Sequence, residues 1–144
     1  MLRAPPVSLI ALVTAALLVG CLPDYFPRRP LRSVSESEVV GQWKLTHSAA
    51  PAAWSDEGGA EFFPGGRCSL KKFAHGDDES SGDYSWRIAV EDGSKASMLC
   101  ITGFGTPQRP LTTFFYFTRK GGKLVLWQYV GDPDARDYIE YERI

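Results

Sequence analysis

From Val39 to the C-terminus, apolar and polar residues alternate with the period of two that marks a β-strand with one buried face. Tyr84, Trp86, Ile88 and Val90 fall on one side, and Asp83, Ser85, Arg87 and Ala89 on the other. Val39, Gly41, Trp43 and Leu45 likewise oppose Val40, Gln42, Lys44 and Thr46. Ala60 to Phe63 and Arg67 to Phe73 flank Pro64-Gly65-Gly66, the signature of a short hairpin loop. Leu111 to Arg119 and Lys123 to Val130 flank Gly121-Gly122, a two-residue turn that needs the positive φ glycine supplies. With Ser97 to Thr102 and Arg136 to Arg143, the pattern predicts about eight short strands, no long helix and no internal repeat. Such a series, broken by Gly, Pro and Asp turns, predicts an all-β antiparallel barrel or sandwich over residues 39–144.

The Gly121-Gly122 turn also fixes which side chains face one another. Phe117 opposes Leu126 and Phe115 opposes Gln128 on one side of the ribbon; on the other, Thr118 opposes Val125, Tyr116 opposes Trp127, and Phe114 opposes Tyr129. Both sides are strongly apolar, whereas a barrel wall has a single interior. Phe114, Tyr116, Trp127 and Tyr129 are therefore either covered by the N-terminal segment or a loop, or form an exposed surface for a partner or lipid.

The first twenty residues follow another pattern. Arg3 precedes an uncharged run from Ala4 to Gly20, the order of an export signal. Leu18-Val19-Gly20-Cys21 resembles the lipobox of bacterial lipoproteins. That resemblance implies cleavage after Gly20, a diacylglyceryl thioether on Cys21 and an acylated new N-terminus. At ~0.8 kcal/mol per buried methylene, two or three acyl chains hold a protein on a bilayer almost irreversibly. Leu22 rather than aspartate follows the cysteine, which by the same resemblance implies an outer-membrane address facing the periplasm. Residues 21–38 carry Pro23, Pro27 and Pro30 with no sustained apolar period, and are expected to form a flexible tether with a reach of up to ~55 Å. Arg28, Arg29 and Arg32 within it suit either anionic headgroups or a merely solvated linker.

Gly41-Gln42-Trp43 on the first strand and Arg143 on the last resemble the calycin pattern shared by lipocalins and smaller lipocalin-like domains. The resemblance implies an up-and-down barrel in which Trp43 lies at the closed end and Arg143 packs across it. It supplies no ligand. Asp137-Tyr138 lies too near the C-terminus to serve as a second lipocalin motif, and the chain leaves little room for the helix that follows the barrel in that family.

Charge and chemistry narrow the function. Without Arg3 the chain carries two more acidic than basic residues, which gives no electrostatic case for nucleic acid. Cys68 and Cys100 are exposed by export to oxidising conditions, and a bridge between them would close a loop of about thirty residues. In a simple meander, however, they lie two strands apart, so bridge and free thiols are equal alternatives. Asp77-Asp78-Glu79 and Asp132-Pro133-Asp134 lack calcium-loop spacing and read as turns. His47 and His75 are the only histidines and belong to no nucleophile or metal motif. The expectation is a membrane-anchored envelope protein without metal, cofactor or catalysis, binding a small apolar ligand or a partner. The alternative is an interaction module such as a hydrolase inhibitor or assembly accessory.

Overall fold

A computed structural model of the protein describes residues 29–48, 57–131 and 137–144. Cys21 and the export segment lie outside the described residues. One helical turn, α1 (Glu36–Val39), precedes eight strands: β1 (Gly41–Ser48), β2 (Gly59–Phe63), β3 (Arg67–His75), β4 (Asp78–Val90), β5 (Ser97–Thr106), β6 (Arg109–Lys120), β7 (Lys123–Tyr129) and β8 (Tyr138–Arg143). Each strand pairs antiparallel with the next, and β8 returns to β1, closing the sheet in sequence order. This is the eight-stranded up-and-down barrel expected from the alternation and the calycin-like residues. Closure leaves no unpaired sheet edge.

The Gly121-Gly122 turn behaves as its glycines require, with φ of 57° and 80° and Lys120 opposite Lys123. Phe117 pairs with Leu126, Tyr116 with Trp127 and Thr118 with Val125, the register expected from the turn. Phe115, Phe117, Leu126, Ile139 and Tyr141 are buried in one core with Trp43, Phe62, Trp86 and Leu99.

The barrel has one sealed end. Trp43 is buried there and its Nε1 donates to the Val39 carbonyl at 2.8 Å. Leu31, Val34 and Val40 pack against the same core. The first turn of α1 is fixed by Glu38, whose carboxylate accepts from the Ser35 amide and hydroxyl at 2.9 and 3.0 Å. Glu38 also meets Arg119 at 2.6 Å, and Glu36 accepts the Gly65 amide at 2.9 Å, fastening α1 to two barrel hairpins. The Ser35 amide, then its hydroxyl, then Arg119 hold the Glu38 carboxyl below its ordinary range.

Two sequence expectations are corrected here. Residues 29–38, assigned to a flexible tether, are docked: Leu31 donates to Phe117 and accepts from Ser97, at 2.8 and 2.7 Å. Proline content misled, because Leu31, Val34 and Val39 are spaced for a barrel end rather than for a regular helix. Cys68 and Cys100, for which a bridge was one alternative, are both free and buried. Cys68 lies opposite Tyr84 and Cys100 opposite Arg87 across β4. Tyr84 and Arg87 are an odd number of residues apart, so the two thiols point to opposite faces of the wall. They are also two strand spacings apart, about 9–10 Å, beyond the ~7 Å a disulfide spans.

Candidate functional site

The interior of the barrel is crossed by side chains. Tyr141 on β8 stacks on Phe73 of β3 at 4.4 Å between ring centroids, and Phe115 of β6 lies 5.4 Å from Phe73 and 6.0 Å from Tyr141. The Tyr141 hydroxyl accepts the Ala74 amide at 2.6 Å and donates to the Ala74 carbonyl at 3.2 Å. Burial pushes the Tyr141 phenol far above its ordinary pKa. This bridge depends on a bulge in β3. The register shifts between Leu70 and Phe73, Lys72 adopts φ of 44°, and its amide is taken by the Ser81 hydroxyl at 2.8 Å. The consecutive residues Phe73 and Ala74 are consequently both fully buried, which strict alternation forbids.

Nearer the open end, Gln128 makes a second crossing. Its Oε1 accepts the Gly76 amide at 2.7 Å, while Nε2 donates to Thr113 and to the Phe114 carbonyl, both at 2.8 Å. Beside it, His75 packs on Phe104 at 4.2 Å and Tyr84 stacks on Phe104 at 4.6 Å. The Tyr84 ring lies 3.0 Å from where a Cβ on Gly103 would stand, so that glycine makes room for the column. His75 Nε2 shares a hydrogen bond of 2.8 Å with Ser80; burial lowers its pKa, opposed by the Asp78 charge. His47 stacks on Tyr138 at 4.1 Å.

The residues singled out in the sequence fall in two places. Trp43 and Arg143 are direct partners at the sealed end. Arg143 is exposed, however, and its guanidinium lies over Gly41, where Nε would be 3.1 Å from a Cβ. Gly41, at φ of 131°, is thus required both for its conformation and for the arginine's approach. Phe114, Tyr116, Trp127 and Tyr129 share the outer face of the wall, Trp127 standing 5.1 Å from both Tyr116 and Tyr129. They are unequally accessible: Phe114 is 45% exposed, Tyr116 and Tyr129 are half-buried, and Trp127 is buried. The Tyr116 hydroxyl donates to Glu91 at 2.7 Å, and burial followed by that carboxylate pushes its pKa up to about 12.

Sequence reasoning missed the Tyr141 bridge, the Gln128 crossing and the His75–Phe104–Tyr84 column. A polar cleft of about 310 Å³ on the wall, lined by Phe63, Arg67, Asp83, Tyr84, Ser85 and Thr102, was not foreseen either. Among the described residues, no group of three His, Cys, Asp or Glu side chains converges as a metal site would require.

Strand order, pairing and closure define a lipocalin-like eight-stranded barrel. No protein-family model matches the chain, and no curated protein matches it. Among solved structures, the chain is similar to insecticyanin from the tobacco hornworm Manduca sexta, with 13% identity and a TM-score of 0.47. The match covers 83% of this chain and 66% of that one, so the chain spans just under two thirds of that protein's length. So distant a likeness adds nothing to function, and the fold rests on this chain's own strand pairing.

Proposed function

We propose that this protein is a lipid-anchored envelope lipoprotein whose barrel is a non-catalytic binding module engaging a protein partner through its outer wall or open end. The observation that carries the reading is the filled midsection. Phe73, Phe115 and Tyr141 occupy the space a deep apolar ligand would need, and the Ala74 hydrogen bonds hold the tyrosine across it. Eight strands enclose room for packed side chains or for one small ligand. The Leu18-Val19-Gly20-Cys21 signal supports the anchor and an outer-membrane address.

A second reading, a small apolar ligand seated shallowly at the open end, is favoured by the His75–Phe104–Tyr84 column and by Leu111, which is 61% exposed. Organic extraction of protein purified from native membranes separates the two. The partner reading expects no stoichiometric apolar compound, and one compound per chain would overturn it in favour of the ligand. Labelled palmitate tests the anchor: incorporation should vanish in Cys21→Ala, and retained label would refute acylation at that sulfur.

A further inference from the structure

Outward-facing positions in a single-layered barrel wall normally meet solvent, but three on β7 and β8 do not. Val125 is 0% exposed, Glu140 1% and Trp127 6%. Trp127 Nε1 is buried without a hydrogen-bond partner. The described chain reaching this side is the N-terminal segment. The Arg29 carbonyl accepts from Thr118 Oγ1 at 3.3 Å, and Thr118 pairs directly with Val125. The chain thus enters one strand away from the covered positions. Of the segments outside the described residues, 49–56 and 132–136 follow Ser48 and Gly131, both at the opposite, open end.

We infer that Leu22–Arg28 is a strap lying across the outer face of β6–β8, with Tyr25 and Phe26 against Trp127 and Tyr129. Length and charge both fit. Seven residues reach ~23 Å when extended, while two strand spacings and the climb from Val125 to Tyr129 amount to roughly 17 Å. The apolar pair meets an aromatic face, and Arg28 meets the side of the wall that carries Glu140 and Glu142, paired in register with Trp127 and Val125. The strap's backbone carbonyls are the acceptors that a buried indole N–H requires. The anchor position, Cys21, immediately precedes the strap, so the barrel is held against whatever Cys21 is attached to instead of swinging on a long lead. The inference does not depend on lipidation of Cys21.

The test uses the full chain in detergent micelles with isotope-labelled tryptophan, comparing it with Tyr25→Ser/Phe26→Ser. The Trp127 indole signal, assigned by its loss in Trp127→Phe, should shift and exchange with solvent at least tenfold faster in the double variant. The Trp43 indole, bonded to Val39, should be unchanged. Identical Trp127 exchange in both proteins would overturn the strap, as would protection that appears only with rising protein concentration, which assigns the face to a second copy. Should the double variant fail to fold, trypsin cleavage after Arg28 in the unaltered chain decides. Cleavage at least tenfold slower than in the isolated Cys21–Leu31 peptide supports the strap, and equal rates refute it.

Discussion

Removing one oxygen atom tests whether the barrel is bridged internally. Tyr141→Phe keeps the ring on Phe73 at 4.4 Å and deletes only the hydroxyl that accepts the Ala74 amide and donates to its carbonyl. Both groups of Ala74 are then left in a fully buried site. A buried backbone group deprived of its partner costs about 1–3 kcal/mol. For a domain of this size each kcal/mol lowers Tm by roughly 4 °C, so a drop of about 4–12 °C is expected. Circular dichroism melting, paired with urea unfolding at constant m, gives the measurement. Tyr141→Ala should cost more, about 3–5 kcal/mol, because the ring is lost as well. A Tyr141→Phe melting curve within about 1 °C of the parent would show that no such bridge spans the bore.

Other consequences follow from the packing. Gly41→Ala places a Cβ 3.1 Å from Arg143 Nε at φ of 131°, and should cost about 1–3 kcal/mol. Arg143→Ala in the same chain should recover only the steric part, as a double-mutant cycle in urea would reveal. Cys68 and Cys100 should resist iodoacetamide in the folded protein and take up two adducts after unfolding without reductant; no adducts would mean a bridge. Burial pushes the Cys68 thiol up to about 12, followed by the Asp83 charge, so it is protonated and inert at neutral pH. Burial lowers the His75 pKa below its ordinary 6.5, so the unfolded chain binds the proton more tightly. Stability from this group is complete above pH 6.5 and is lost as pH falls through that value toward the folded pKa. His75→Gln should flatten that part of the pH–stability profile, and an unchanged slope would refute the assignment.

The alternating stretches were legible because a closed antiparallel wall keeps one face inside. Tyr84-Ser-Trp86-Arg-Ile88 and the Gly121-Gly122 ribbon carried both strand and register information, since the turn leaves a single pairing. Where the wall departs from alternation, the sequence was silent. The bulge at Lys72 inverts the facing of every later residue in β3, so Phe73 and Ala74 enter the core together. Ser81, which takes the Lys72 amide, gives no local sign of that role. The Tyr141–Ala74 and Gln128–Gly76 crossings join residues 67 and 52 positions apart, far beyond any local pattern. The docked segment before β1 was hidden by its prolines. The outer aromatic set was legible as a ribbon face, but its unequal cover depends on chain that arrives from elsewhere.

The central claim is that a lipid-anchored barrel with a filled interior acts through its surface. Intact mass, recorded natively and again after denaturation on protein purified from native membranes, tests both halves at once. The account predicts a chain beginning at Cys21 with acyl chains added, and the same mass in both conditions. A chain beginning at Met1 with an unmodified thiol, or a stoichiometric small molecule released on denaturation, would contradict it.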